Sequence, residues 1–212
     1  MKFSIIVPHF DRSISDESFT RGMNCLLNQT FQDFEVLVYH DGPVSREIPM
    51  PDDDRFTLRI TDKRENNWGH GNRNRGIKKA KGEWIIHFNP DNVLYPYALE
   101  EINAKANHKL PQGLTHSGED IIIFPIKMMG MQCNGKCVWR EVENADTRSM
   151  IFTGYPTMKY NIDAMQLVMK KSRWISYKGW YDTTEESDGN MYPRFVHDLG
   201  AKYCDKILGE HW

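Results

Sequence analysis

Within the first 95 residues of the 212-residue chain a strand signal is followed by a helix or a loop four times over, and few folds accommodate that order. Phe3-Ser4-Ile5-Ile6-Val7 is an apolar, β-branched run bounded by Pro8, the pattern of a strand covered on both faces. Ser13 with Asp16 three residues on reads as a capping box, and Phe19, Met23, Leu26 and Leu27 then recur at helical spacing. Phe34 to Tyr39 is a second strand, ended by the turn signal His40-Asp41-Gly42, and Arg55 to Ile60 a third. A glycine- and asparagine-rich stretch, Asn66 to Asn74, leads into a short helix through Ile77 and Ala80, and Trp84 to Phe88 is the fourth strand. Such alternation implies a mainly parallel sheet flanked by helices, and ligands of such sheets sit beyond the carboxyl ends of the strands. Those ends carry His9, Asp41 and Asp91.

Past a helix expected over Pro96 to Ala106 the pattern changes. Ile121 to Met129 and Val138 to Val142 flank Cys133-Asn134-Gly135-Lys136-Cys137, where Asn-Gly signals a hairpin or an irregular antiparallel piece. With no repeat, low-complexity tract or long linker, one domain over residues 1–212 is expected, of a kind that can also be one piece of a longer chain. Residues 1–95 form its nucleotide-type half and 96–212 its partner-binding half.

A net charge of −2 supplies no global field to recruit nucleic acid or an anionic membrane surface. The longest early apolar run is far short of the roughly 20 residues that span a bilayer, and no secretory cleavage pattern follows it. Four cysteines, Cys25, Cys133, Cys137 and Cys204, are too few and too scattered for a disulfide framework, and Cys133 and Cys137 have no partner pair at zinc spacing. Free thiols in a cytoplasmic protein are expected.

Two phosphate-loop signatures fail. Gly69-His70-Gly71 has Asn74 where a dinucleotide fingerprint needs its third glycine, and Gly71 and Gly76 are followed by Ile77-Lys78 rather than the Lys-Ser or Lys-Thr of a P-loop.

Other blocks carry a resemblance. Ile5 to Phe10, Leu27-Asn28-Gln29-Thr30-Phe31-Gln32-Asp33-Phe34-Glu35 and His40-Asp41-Gly42 open the chain. Asn67-Trp68-Gly69, Asn72 to Ile77 and Ala80 to Ile85 follow, then Phe88-Asn89-Pro90-Asp91-Asn92 with Pro96. Lys178 to Asp182, Ser187-Asp188 and Arg194 close the series. In this order the blocks resemble family 2 glycosyltransferases of the GT-A fold: α/β, a Rossmann-like, mainly parallel sheet with a small antiparallel piece on the acceptor side.

The resemblance implies transfer of a hexose or 6-deoxyhexose from a UDP-sugar to a hydroxyl of a glycan or glycoprotein acceptor, with inversion. It implies a divalent cation, Mn²⁺ or Mg²⁺, a hard ion that carboxylate oxygen holds against the developing charge of a diphosphate leaving group. Asp91 matches the metal position, and His211 stands where related enzymes supply a late histidine ligand. The family's first carboxylate is replaced here by Asn89, so one protein charge is missing. Asp41 matches the aspartate that accepts the uracil N–H, with Pro8 and His9 lining the base and Arg73 reaching the diphosphate or the base. Asp188 matches the general base. Its rivals are Glu185 and Glu186, because Ser187 takes the place of an acidic neighbour and Pro193 disturbs the helix expected there. Trp180 and Tyr181 would offer flat faces to an acceptor sugar.

Plainer roles stand beside these. Asp41 before a glycine is an ordinary turn residue and Asp91 an ordinary cap. His9 and His211 are open to structural roles, and Trp180 to the core. The basic strip from Arg64 to Lys81 is a solvated face before it is an RNA patch. The neutral Asn89 also leaves open a sugar-nucleotide-binding module without catalysis.

Overall fold

The computed structural model describes residues 1–108, 118–129, 141–144 and 149–212. In chain order its elements are β1 (Phe3–His9), α1 (Asp16–Leu27), β2 (Phe34–His40), β3 (Phe56–Ile60), α2 (His70–Lys79), β4 (Trp84–His87), β5 (Val93–Leu94) and α3 (Ala98–Asn107). Then come β6 (Ile121–Ile123), β7 (Ile126–Met128), β8 (Glu141–Asn144), β9 (Ser149–Phe152), a 3-10 turn (Ala164–Gln166), β10 (Leu167–Lys170), α4 (Lys171–Ser176), α5 (Ser187–Leu199), β11 (Lys202–Tyr203) and β12 (Gly209–His211).

A seven-stranded sheet runs β11-β6-β10-β4-β1-β2-β3, and a five-stranded one runs β5-β12-β7-β9-β8. β1 pairs in parallel with β2 and β4, and β3 continues the parallel set beyond β2. β10 enters antiparallel between β4 and β6, so strands from both halves of the chain share this sheet. The large sheet is covered on both faces, which is why β1 and β2 read as continuous apolar runs rather than alternating ones. Ile5, Val7, Val36 and Val38 pack with α1 and α3 on one face; Ile6, Leu37 and Ile85 pack with Ile77, Trp174, Trp180 and Phe195 on the other.

Several local expectations are corrected. β1 continues through Pro8 to His9, because β4 ends opposite Ile6 and the missing Pro8 N–H faces no strand on that side. The cap of α1 is Ser15, whose hydroxyl accepts the Ser18 N–H at 3.2 Å, while the Ser13 hydroxyl donates to the Phe10 carbonyl at 2.9 Å and closes a turn. The run Ile121–Met129 divides at Phe124-Pro125 into β6 and β7, which belong to different sheets; proline there removes a donor and restricts its neighbour. Pro193 does not break α5, which runs on to Leu199 with Met191, Tyr192 and Phe195 fully buried. That burial offsets an interior-proline cost of about 3 kcal/mol. Cys25 and Cys204 are free thiols; Cys133, Cys137 and the Asn134-Gly135 turn lie outside the described residues. Among the described residues no helix is long and apolar enough to cross a membrane.

Candidate functional site

The parallel strands end at one side of the sheet, and there a cavity of about 510 Å³ opens, a size suited to a nucleotide-sized ligand. Pro8 and His9 close the end of β1, and Asp41 follows β2. Trp68, Gly69 and Asn72 come from the start of α2, Asn89, Pro90 and Asp91 from the loop after β4, and His211 from the end of β12. Residues distant in sequence meet here because parallel strands expose their carboxyl ends together.

Asp41 accepts the Glu65 N–H at 2.9 Å with one oxygen and the Asn66 N–H at 3.0 Å with the other. It thereby fastens the loop in which Asn66, Trp68 and Gly69 all have positive φ. A carboxylate has about four lone-pair sites, so two backbone bonds leave acceptor capacity toward the cavity. His9 is buried against Phe19 and His40, with ring centroids 4.5 and 5.2 Å away. Burial, then His40, lower its pKa to about 4, so the imidazole lining the cavity is neutral.

Arg73 lies behind this wall, 4 % exposed, its guanidinium 5.1 Å from the Trp180 ring centroid. Nη2 donates to Asn89 Oδ1 at 2.8 Å. Among the described residues Nε and Nη1 are buried with no hydrogen-bond partner, and Nη1 is 3.9 Å from where a Cβ on Gly69 of the cavity lining would stand. A guanidinium with unused donors can bind an anion that reaches it; Arg73 itself is not among the residues that line the cavity.

Asp91 is held through its backbone, its carbonyl accepting from Arg21 Nη2 at 2.9 Å. Gly22 brings α1 against the same loop: a Cβ there would stand 2.0 Å from the Pro90 carbonyl oxygen. Burial pushes the Asp91 carboxyl above the usual range, and His211 acts against that shift. His211 Nδ1 lies 3.2 Å from Asp163 Oδ2. Burial alone would lower the His211 pKa, but Asp163, then Asp91 and Asp188, raise it to about 9.

Among the described residues no group of three or more His, Cys, Asp or Glu side chains is set to hold a metal ion. Asp91 and His211, two oxygen and nitrogen donors on one cavity wall, nevertheless fit a divalent cation that takes its remaining ligands from diphosphate oxygens, the usual arrangement at such sites.

Asp188 sits in the first turn of α5 and accepts the Gly189 N–H at 2.7 Å. Burial, then the neighbouring Asp163, push its carboxyl up to about 7, and Arg73 acts in the other direction. The rivals face outward: Glu185 is exposed, and Glu186 is exposed and tied to Lys159 and Tyr160.

The expected acceptor face of Trp180 is not available. The ring is 2 % exposed, stacked on His70 at 4.9 Å, and its Nε1–H donates to His87 Nε2 at 2.9 Å. It is a core ring, packed there because α4, α5 and α2 converge on one apolar cluster. Tyr181 is 48 % exposed and free to meet a solvent-side ligand. Asp182 organises its own loop, accepting from the Thr184 N–H at 2.9 Å and from Asn190 at 2.8 Å.

Three residues escaped the sequence reading. Asn89, noted only as a missing charge, is the partner of Arg73. Trp68 is 63 % exposed at the cavity with φ 55°, and its position before a glycine was the available signal. Asp163, 9 % exposed, joins His211 and acts on Asp188, and nothing local in its sequence marks it.

Together the sheet order and the strand-tip cavity define a domain of the GT-A glycosyltransferase class. The chain belongs to glycosyl transferase family 2, whose family model matches residues 4–172. It is 26 % identical to the GalNAc(5)-diNAcBac-PP-undecaprenol beta-1,3-glucosyltransferase of Campylobacter jejuni, over 67 % of this chain and 45 % of that protein. It is 28 % identical to the poly(ribitol-phosphate) beta-N-acetylglucosaminyltransferase TarS of Staphylococcus aureus strain MW2, over 100 % of this chain and 37 % of TarS. The chain thus spans less than half the length of these relatives. The crystal structure of S. aureus TarS 1–349 in complex with UDP superposes with a TM-score of 0.66 at 18 % identity, covering 100 % of this chain and 60 % of that one. The mannosyltransferase PcManGT from Pyrobaculum calidifontis, in complex with GDP-Man and Mn²⁺, gives 0.61 at 11 % identity, covering 99 % and 56 %.

Proposed function

We propose that this domain transfers a hexose or 6-deoxyhexose from a UDP-sugar to a hydroxyl of a glycan or glycoprotein acceptor, inverting the anomeric centre with the help of Mn²⁺ or Mg²⁺. The observation that carries the reading is the Arg73 guanidinium, buried with two donor nitrogens unused beside a cavity whose wall holds Asp91 and His211. That arrangement suits a diphosphate better than any neutral ligand.

In this reading Pro8 and His9 flank the uracil and Asp41 accepts its ring N–H. Arg73 holds the diphosphate, and Asp91 and His211 hold the cation. The cation supplies Lewis-acid stabilisation of the leaving diphosphate. Asp188 takes the proton from the acceptor hydroxyl as that oxygen attacks the face opposite the departing UDP, which requires its ionised form. Tyr181 offers its ring to the acceptor. Two proteins of the same fold support the donor and the metal: the TarS crystal structure holds UDP, and that of PcManGT holds GDP-Man and Mn²⁺. The relatives' own sugars and acceptors differ, so the donor sugar is decided by assay.

The test is incubation with a panel of UDP-sugars and Mn²⁺, with UDP release and calorimetric binding as readouts. Release with at least one sugar, together with UDP binding, is expected; absence of both overturns the reading. Asn89, neutral where the family carries a carboxylate, favours a second reading as a sugar-nucleotide-binding module without catalysis. Turnover that Asp188→Ala abolishes while UDP affinity survives excludes that module.

A further inference from the structure

We propose that Asp163 is a positioning residue of the donor site, holding the His211 imidazole in place so that its remaining nitrogen serves the cation and diphosphate beside Asp91. This inference rests on the metal-assisted reading above.

Asp163 is itself held on every side that could move it. It caps the 3-10 turn Ala164–Gln166, its Oδ1 accepting the Met165 N–H at 3.0 Å, while its own N–H donates to Gln166 Oε1 at 2.9 Å. Gln166 is tied in turn by its amide nitrogen to the carbonyls of Phe124 at 2.9 Å and Phe152 at 2.8 Å, one beside each sheet. Of the carboxylate's two oxygens, one is therefore spent on the cap and the other, Oδ2, stands 3.2 Å from His211 Nδ1. That nitrogen is buried and completes no hydrogen bond among the described residues, so Asp163 meets it as an ion-pair partner. Nε2 of the same ring makes no hydrogen bond to the protein among the described residues, and His211 lines the cavity with Asp91.

The chemistry of such a pair is general. An imidazole that serves a cation through one nitrogen gives the other N–H to a carboxylate, which sets the tautomer and ring plane and raises basicity. The need is sharper here, because His211 lies at the end of a three-residue strand, β12, and a terminal side chain has few contacts of its own to orient it. Asp163 also restores to the neighbourhood a carboxylate that the neutral Asn89 withholds, at one remove from the cation rather than on it.

A purely structural Asp163 would act only as the cap of the turn, and asparagine performs that role equally well. Asp163→Asn therefore separates the two roles, since it keeps the capping oxygen and puts a neutral amide against His211. Calorimetric titration with UDP, with and without Mn²⁺, is the readout, alongside thermal melting. The variant is expected to melt with the parent and to bind UDP alone as the parent does, but to lose about 10–100-fold of the affinity that Mn²⁺ confers. His211→Ala should show the same loss, and the double variant no greater one, because Asp163 acts through His211. Should Asp163→Asn fold poorly, Asp163→Ser, which keeps a capping oxygen and lacks the second, carries the same comparison. A parent whose UDP affinity ignores Mn²⁺ overturns the metal reading and this inference with it. A parent that responds to Mn²⁺, beside an Asp163→Asn protein that responds equally, overturns this inference alone. Additive losses in the double variant overturn it as well.

Discussion

Among the described residues the Arg73 guanidinium gives one hydrogen bond, through Nη2 to Asn89 Oδ1 at 2.8 Å, and keeps Nε and Nη1 buried and unused. A carboxylate at position 89 would neutralise the guanidinium; the neutral amide orients it and leaves its charge for a ligand. In the proposed reading Asn89 thus trades one metal-binding charge for an uncommitted cation beside the diphosphate.

Arg73→Lys keeps the charge and loses the planar fork. UDP affinity is expected to fall about 10–100-fold, the worth of one hydrogen bond to a charged group, while uridine affinity stays unchanged. Parallel titrations with UDP and uridine check this, and an equal loss for both would refute a diphosphate role.

Gly22 meets the Asp91 loop without room for a side chain. Gly22→Ala forces that loop away from its position, at a cost of about 1–3 kcal/mol in stability, and reduces Mn²⁺-dependent UDP binding more than metal-free binding. Thermal melting and calorimetry measure the two effects.

Asp188 supplies a pH dependence with a definite sign. Its carboxyl is raised to about 7, so kcat/KM at saturating donor should climb with pH and level off above about 7, falling roughly tenfold per unit below it. Asp188→Asn should lower turnover about 10²–10⁴-fold with UDP affinity within about twofold. The folded protein holds this proton more tightly than the unfolded chain, so stability is lost as pH rises from 3.8 through about 7. Asp188→Asn should therefore melt above the parent at about pH 8, with the advantage shrinking toward about pH 4.

Trp68 at the cavity and Trp212 beside His211 are exposed, whereas Trp84, Trp174 and Trp180 are buried. UDP should change the tryptophan emission of a protein carrying Trp212→Phe, and adding Trp68→Phe should remove most of that change. A response unaltered by Trp68→Phe contradicts a ligand against Trp68.

Much of the strand-tip cavity is readable in one dimension because its signals are local. The apolar runs at Ile5 and Val36 are strands whose faces are both covered, and the residues that follow them are held by the topology at one edge of the sheet. Pro8 misled as a terminator, because whether a strand tolerates proline depends on where its neighbour β4 ends. The Phe124-Pro125 junction sends one apolar run into two sheets, a fact visible only once β10 and β12 take their places beside it. Trp180 is buried by α2, α4 and α5 together, and no spacing within its own segment reveals that. Asp163 was illegible for the same reason, since its partner His211 lies on a strand formed at the far end of the described chain.

The most direct measurement is the crystal structure of the protein soaked with UDP and Mn²⁺. Uracil is expected between Pro8, His9 and Asp41, the diphosphate against Arg73, and the ion between the diphosphate, Asp91 and His211. UDP bound away from the strand tips, or a strand-tip cavity left empty at saturating UDP, would contradict the proposed reading.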